Sequence, residues 1–260
     1  MSDQTTATAE GSGTVTLRVF RGDASGGAER EYSVETLPGM VVLDALHKIQ
    51  AEQDQTLAIR WNCKAARCGS CSAEVNGRPR LLCKTRLDEF SAPIQVHPMR
   101  TFPLVKDLVT DVSFNYEVNK RIEPFTPKEP GPFRIFQQDV DRVQEFRKCI
   151  ECYLCQDVCH VLREHGQYRA YFGPRYMVRM AALEMHPMDA ADRREQLHGE
   201  AGVQYCNITK CCEELCPEHI HITDNAIIPL KERVVDLRYD PIWRAFRRVF
   251  GRKSLELAER

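Results

Sequence analysis

Along the first hundred residues, apolar and polar positions mostly alternate, as they do in strands that bury one face. TVTLRVF and REYSVET alternate in this way on either side of a glycine-rich turn, and Asn76-Gly77 is typical of a type I′ hairpin turn. One stretch instead repeats its apolar residues at helical spacing. The pattern predicts strands at 14–20, 30–36 and 94–96, a hairpin over 73–82 and a helix over 41–52.

The pattern changes after a proline-rich stretch. PFTPKEPGP at 124–132 contains four prolines, which favour a stiff extended linker over a helix. Beyond it, apolar residues recur at helical spacing. Helices are predicted at 139–148 with Asp139 as N-cap, at 173–185 with Pro174 in the first turn, at 189–197, and after Thr223 as a candidate N-cap. We therefore predict two domains, the first α+β and the second helical.

The composition fits a folded, soluble protein. The chain has 260 residues, of which 43% are hydrophobic, so it can form one or two cores. A net charge of −1 argues against a broad nucleic-acid-binding face. The start of the chain lacks the basic and apolar regions of a signal peptide, and no apolar run is long enough to span a bilayer. A cytoplasmic location is expected.

Twelve cysteines are the unusual feature of this composition. Disulfides are rare in a reducing cytosol, so ligation of a metal or an iron–sulfur cluster is favoured. The cysteines fall in three groups of four, at 63–83, 149–159 and 206–216. Such grouping is not expected of cysteines that only fill a core.

The first group has the spacing Cys63-x4-Cys68-x2-Cys71-x11-Cys83. This C-x4-C-x2-C…C spacing is typical of plant-type 2Fe–2S ferredoxins. A structural zinc site is the alternative, but zinc sites favour paired C-x2–4-C knuckles, and this group has one such pair. We predict that these four cysteines bind a 2Fe–2S cluster.

The second group, Cys149-x2-Cys152-x2-Cys155-x3-Cys159, matches the run found in bacterial ferredoxins. In two-cluster proteins of that type, the fourth cysteine of each run binds the other cluster. The assignment of the second group therefore depends on the third.

The third group repeats this spacing, with Thr209 in the place of the second cysteine. If the fourth cysteine of each run binds the cluster of the other run, a 4Fe–4S cluster is predicted on Cys149, Cys152, Cys155 and Cys216. A second site is then predicted on Cys159, Cys206 and Cys212. We call this second set the three-thiolate site. Because threonine is a poor substitute for the missing thiolate, we expect a 3Fe–4S cluster there.

Cys211 lies outside this template. It is either a small residue packed near the cluster or a fourth ligand that restores a 4Fe–4S cluster. Adjacent residues rarely point at one iron together, so we predict that Cys211 is not a ligand.

The cysteine motifs resemble, over residues 14 to about 240, the iron–sulfur subunit of succinate dehydrogenase/fumarate reductase, in a less common branch with a doubled cysteine in the third motif. The resemblance implies an α+β chain: an N-terminal β-grasp plant-type 2Fe–2S ferredoxin domain followed by an all-α bacterial-ferredoxin-like domain. The expected segments are a disordered tail at 1–13, the 2Fe–2S domain at 14–115, a proline-rich linker at 116–135, the helical two-cluster domain at 136–240 and a basic amphipathic segment at 241–260.

The resemblance also implies a function. Single electrons are expected to pass between FAD on a flavoprotein subunit and quinone at a membrane anchor, through the 2Fe–2S, 4Fe–4S and 3Fe–4S clusters. Substrate chemistry is expected on the flavoprotein, so no catalytic residue is assigned here; haem is a candidate cofactor of a partner subunit. The implied location is the cytoplasmic face of the inner membrane, held peripherally through the anchor. Alternatives are the equivalent subunit of another flavin dehydrogenase or heterodisulfide-type oxidoreductase, and a zinc-stabilised interaction module.

Four residues depart from the usual pattern of that family, one of them Thr209, where a bulky aliphatic residue is common. Ala66 stands where glycine is usual, two positions before the second cysteine of the 2Fe–2S motif. His160 and Asn207 follow cysteines of the three-thiolate site, in place of the usual proline and histidine. His160 is a candidate for moving protons there, or for packing and hydrogen bonding to a cluster sulfur.

Overall fold

The structure is a computed structural model that describes residues 13–131, 134–242 and 245. The chain divides into two compact units, one of residues up to Phe114 with Ile150–Val158, the other of Asn115–Cys149 with Cys159 onward. We call them the sheet unit and the helical unit. The segments predicted at 1–13 and 241–260 fall almost wholly outside the described residues.

The sheet unit contains a mixed sheet whose strands follow the predicted alternation. Its seven strands are β1 (Gly13–Asp23), β2 (Gly26–Thr36), β3 (Ser72–Val75), β4 (Arg78–Leu81), β5 (Ile94–His97), β6 (Leu104–Lys106) and β7 (Val109–Thr110). They lie in the order β4-β3-β5-β1-β6-β7, with β2 also paired to β1. The β1–β5 pair is parallel and the others are antiparallel. The predicted strands and the hairpin are thus confirmed.

The core of the sheet unit lies under α1 (Val42–Glu52), at the predicted helical stretch. Leu17 and Val19 point to the same face of β1, and their direct partners on β5 are Ile94 and Val96. All four are fully buried, and they pack in one cluster with the apolar residues of α1. The alternation of β1 therefore reflects one face covered by a helix.

The other α-helices with bounds inside the described residues are mostly short. They are α2 (Ser113–Arg121), α3 (Gln137–Gln144), α4 (Leu154–Asp157), α5 (His160–Arg163), α6 (Pro174–Glu184), α7 (Arg194–His198), α8 (Cys211–Glu214) and α9 (Ile228–Tyr239). Short 3₁₀ turns lie at Leu87–Glu89, Glu145–Lys148 and Val203–Tyr205, and a π-helical turn at Ile222–Ile227 precedes α9. Helix α6 begins at Pro174 as predicted and packs on the π-helical turn.

Three sequence predictions about helix ends are wrong. Asp139 lies inside α3, whose N-cap is Phe136. Thr223 lies inside the π-helical turn, where its amide donates to the Glu213 carboxylate at 2.9 Å. The helix predicted at 189–197 begins at Arg194, because the Asp189 carboxylate accepts the amide of Ala191 at 3.0 Å and so favours a turn.

A buried arginine holds the start of the proline-rich stretch in the helical unit. The Arg193 side chain is fully buried and forms a 2.9 Å ion pair with Asp189. It also donates hydrogen bonds to the carbonyl oxygens of Glu123 at 2.8 Å and Pro124 at 2.7 Å. The charge is thus both paired and hydrogen-bonded, as a buried arginine requires.

Candidate metal centres

The first cysteine loop, residues 63–71, directs backbone amides at sulfur. The Cys63 sulfur accepts the amides of Ala65 at 3.3 Å and Arg67 at 3.4 Å. The Cys83 sulfur, at the end of the adjacent hairpin, accepts the amide of Ala66 at 3.3 Å. Such donors stabilise negative charge on thiolates and cluster sulfurs, so this loop fits an iron–sulfur cluster.

Left-handed residues create this loop geometry. Lys64, Ala66 and Gly69 have φ of 52°, 54° and 67°. This left-handed conformation costs a residue with a Cβ about 1–2 kcal/mol. Ala66 bears this strain at a position where the family that the chain resembles usually has glycine. Gly69 is required for a second reason, because a Cβ there would lie 2.5 Å from the Cα of Cys152.

The four cysteines of the first group are electrostatic neighbours. The amides of Ala65 and Arg67, followed by the Cys68 thiol, lower the pKa of Cys63 to about 7. Burial, together with interactions with Cys83 and Cys68, raises the pKa of Cys71 to about 12. The structure therefore brings together the four ligands predicted for the 2Fe–2S cluster.

The second and third cysteine runs share one backbone conformation. Left-handed φ occurs at Glu151 and Tyr153 in the second run, and at the matching positions Ile208 and Lys210 in the third. In each run a four-residue helix then begins immediately, α4 in the second and α8 in the third. The sequence template is thus reproduced as a structural repeat.

This repeat locates the two unusual residues of the third run. Thr209 takes the position of Cys152, and Cys211 takes the position of Leu154. Leu154 is buried in the core of the sheet unit, and its position is not one of the four ligand positions of the motif. The Thr209 hydroxyl lies 3.3 Å from the Cys211 sulfur, so the two residues contact each other.

The cysteines predicted for the 4Fe–4S cluster belong to both units. Cys152 and Cys155 lie in the sheet unit, and Cys149 and Cys216 in the helical unit. Within the helical unit, burial raises the pKa of Cys216, and its neighbour Cys149 adds to the rise. Within the sheet unit, the Ser72 hydroxyl lies 2.8 Å from the carbonyl oxygen of Cys152. The four-cysteine set stays a prediction from the spacing.

The three-thiolate site is assembled within the helical unit, where Cys159 and Cys212 are buried and Cys206 is half-buried. Burial raises the pKa of Cys159 to about 11 and that of Cys212 to about 12. The charge of Cys211 and, after it, that of Cys206 add to both rises. The structure therefore brings together Cys159, Cys206 and Cys212. It places Cys211, half-buried, near the same group.

Two hydroxyl side chains at this site were missed by the sequence reasoning. The Thr223 hydroxyl lies 3.6 Å from the Cys212 sulfur. The Tyr171 ring is buried, and burial, followed by the charges of Cys206, Cys159 and Cys212, raises the pKa of Tyr171 well above its usual value. Neither residue belongs to a cysteine motif, so spacing carries no signal for them.

The two residues that follow ligands at this site contact each other. Asn207 Nδ2 lies 2.5 Å from His160 Nε2. His160 is half-buried and Asn207 is exposed. This contact links the second and third cysteine runs directly beside Cys159 and Cys206.

The described residues contain neither a single-ion metal site nor a membrane-spanning helix. No three His, Cys, Asp or Glu side chains there surround a position for a single metal ion; the thiolates of a cluster bind different iron atoms and do not require that arrangement. Within the same residues, none of the helices has the length and apolar character needed to cross a membrane.

Comparison with known proteins gives matches along most of the chain. A 2Fe-2S iron-sulfur cluster binding domain family matches residues 16–117, and a 4Fe-4S dicluster domain family matches residues 145–220. The succinate dehydrogenase iron-sulfur subunit of Bacillus subtilis is 29% identical over 239 residues, covering 86% of this chain and 90% of that protein. The fumarate reductase iron-sulfur subunit of Mycobacterium tuberculosis is 33% identical over 200 residues, which cover 73% of this chain and 79% of that protein.

A solved structure gives a further match. A chain of the Mycobacterium smegmatis Sdh1 complex in the apo form is 57% identical, with a TM-score of 0.87. The match covers 89% of this chain and 100% of that one.

Proposed function

This chain belongs to the family of succinate dehydrogenase/fumarate reductase iron–sulfur subunits, and we propose that its third cluster is 3Fe–4S, bound by Cys159, Cys206 and Cys212. As a member of that family the chain is an electron-transfer subunit with 2Fe–2S and 4Fe–4S domains. We assign the 2Fe–2S cluster to Cys63, Cys68, Cys71 and Cys83, and the 4Fe–4S cluster to Cys149, Cys152, Cys155 and Cys216.

The repeated backbone of the second and third runs carries this proposal. It assigns the missing ligand to Thr209, whose hydroxyl is a weak iron ligand, and it gives Cys211 the position that Leu154 holds in the second run. Three thiolates remain near one another in the helical unit. A cluster with three irons matches that ligand set.

The partners of this chain are proposed from its family. When bound, the clusters carry single electrons between FAD on a flavoprotein and quinone at a membrane anchor. The protein's contribution is to hold the cluster ligands, supply hydrogen bonds to sulfur and limit access of water. The chain would lie peripherally on the cytoplasmic face of the inner membrane, through the anchor, with haem as a candidate anchor cofactor.

EPR of the purified, gently oxidised complex tests the third cluster, with iron and sulfide quantified. Oxidised 2Fe–2S and 4Fe–4S clusters are EPR-silent, whereas an oxidised 3Fe–4S cluster is paramagnetic. We expect a near-stoichiometric signal that Cys211→Ala retains and Cys212→Ala loses. Silence with full iron content, together with a signal that appears in Cys211→Ala, would instead identify Cys211 as the fourth ligand of a 4Fe–4S cluster.

A further inference from the structure

We propose that the Tyr171 hydroxyl donates a hydrogen bond to the Cys206 thiolate and thereby raises the reduction potential of the third cluster. This inference rests on the proposed function, because it requires a cluster on the three-thiolate site. Tyr171 is not assigned as a ligand; it acts on the cluster through Cys206.

The first reason for this proposal is that the Tyr171 hydroxyl is buried without a hydrogen-bond partner among the described residues. The Tyr171 ring is 1% exposed, and its hydroxyl has no hydrogen-bond partner in the described protein. A buried hydroxyl left unpaired costs about 1–3 kcal/mol, so such a group points to an acceptor that forms with the assembled site. A cysteine sulfur that becomes a thiolate on binding iron is an acceptor of this kind.

The surrounding backbone holds Tyr171 beside the third run. The amide of Phe172 donates to the carbonyl oxygen of Ala201 at 3.1 Å. The carbonyl oxygen of Ala170 occupies the space that a Cβ at Gly202 would need, and Gly202 has a left-handed φ of 62°. Backbone contacts on both sides of Tyr171 therefore fix it against the segment that leads into Cys206.

Cys206 is also held in place. The amide of Cys206 donates to the carbonyl oxygen of Val203 at 3.3 Å, and Lys231 Nζ donates to the carbonyl oxygen of Cys206. Cys206 is the cysteine whose charge acts most strongly on the Tyr171 hydroxyl, followed by Cys159 and Cys212. Tyrosine keeps its proton at neutral pH, so it is a donor to these sulfurs.

The effect on potential follows from charge. Reduction adds one negative charge to the cluster, and a donor aimed at a ligand sulfur stabilises that extra charge. Hydrogen bonds to the sulfurs are among the factors that set cluster potentials. In a site shielded from water, no solvent molecule replaces a lost donor, so its removal should favour the oxidised cluster.

Tyr171→Phe in the whole complex tests this, because it removes one oxygen and keeps the ring. A potential titration followed by the EPR signal of the third cluster should show a midpoint displaced to more negative values. At the wild-type midpoint we expect the reduced-to-oxidised ratio to fall several-fold; a tenfold fall corresponds to about 59 mV for a one-electron couple. The midpoints of the other two clusters should not move.

Tyr176→Phe is the matched control. Tyr176 is buried in the same unit, but its hydroxyl donates to the carbonyl oxygen of Asn115, so its loss should leave all midpoints in place. The titration is normalised to the signal that assembles, so partial cluster loss does not obscure it. An unchanged midpoint in Tyr171→Phe, or loss of the third cluster alone in that variant, would overturn the inference while leaving the proposed function intact. Absence of the third signal in the wild type would overturn both.

Discussion

Cys63 of the first cysteine loop and Cys212 of the three-thiolate site are the same kind of ligand in opposite surroundings. In the loop, Cys63 is exposed and receives two backbone amides, which lower the pKa of its thiol to about 7. At the three-thiolate site, burial raises the pKa of Cys212 to about 12. Local backbone amides act at both sites, since those of Leu162 and Val161 lower the pKa of Cys159. The buried site adds the Thr223 hydroxyl, which comes from another element.

The difference shows what each site demands of the chain. Left-handed residues of the loop direct its amides at sulfur, and left-handed residues also occur in the third run of the buried site. A buried site requires side chains from other elements, here Thr223 and Tyr171. The loop should therefore be sensitive to changes in backbone freedom, and the buried site to the loss of single oxygen atoms.

The largest effect is expected from Gly69→Ala. The added Cβ would meet the backbone of Cys152 and would also occupy a left-handed conformation. Strain and overpacking together should lower the free energy of unfolding by about 2–5 kcal/mol and reduce retention of the 2Fe–2S cluster. Denaturant unfolding and the visible absorption of the cluster measure both.

Gly77→Ala separates the two causes. Gly77 has a left-handed φ of 74°, but a Cβ there meets nothing within 4 Å. The loss should be confined to strain, about 1–2 kcal/mol. Equal losses of unfolding free energy in Gly69→Ala and Gly77→Ala would contradict a steric requirement for Gly69 beside Cys152.

An opposite and smaller effect is expected from Ala66→Gly. Glycine removes the left-handed strain of about 1–2 kcal/mol, while its freedom in the unfolded chain costs about 0.4–1 kcal/mol. The free energy of unfolding should rise by about 1 kcal/mol, with an unchanged 2Fe–2S spectrum. Ala65→Gly is the control: Ala65 is not left-handed, so the same substitution should destabilise. A lower free energy of unfolding in both Ala66→Gly and Ala65→Gly would show that the loop does not strain Ala66.

The same contrast explains which parts of the sites could be predicted from the sequence. Ligands of the first loop lie close together in the chain, so spacing alone predicted that group, and the hairpin turn at Asn76-Gly77 has the two positive φ values that its residues favour. Thr223 was read as a helix cap because nothing nearby in sequence reveals that Glu213 binds its amide. Tyr171 lies near Cys206 through tertiary packing, which local patterns do not encode.

The smallest effect is expected from Thr223→Val, which tests the second hydroxyl at the buried site. Thr223 is 1% exposed and its oxygen lies 3.6 Å from the Cys212 sulfur, a long and weak hydrogen bond. Valine keeps the shape and removes the donor, so the third cluster's midpoint should move to more negative potential, by less than in Tyr171→Phe. The EPR potential titration used for Tyr171 measures it.

Thr85→Val is the control for this last substitution. Thr85 is also buried, but its hydroxyl donates to the carbonyl oxygen of Leu81 at 2.9 Å in the sheet unit. Its loss should lower stability by about 1 kcal/mol and leave the third midpoint in place. If Thr223→Val leaves the midpoint potential of the third cluster unchanged, only Tyr171 and the burial of the site would remain to set that potential. The contrast between the two sites would then depend on a single oxygen atom.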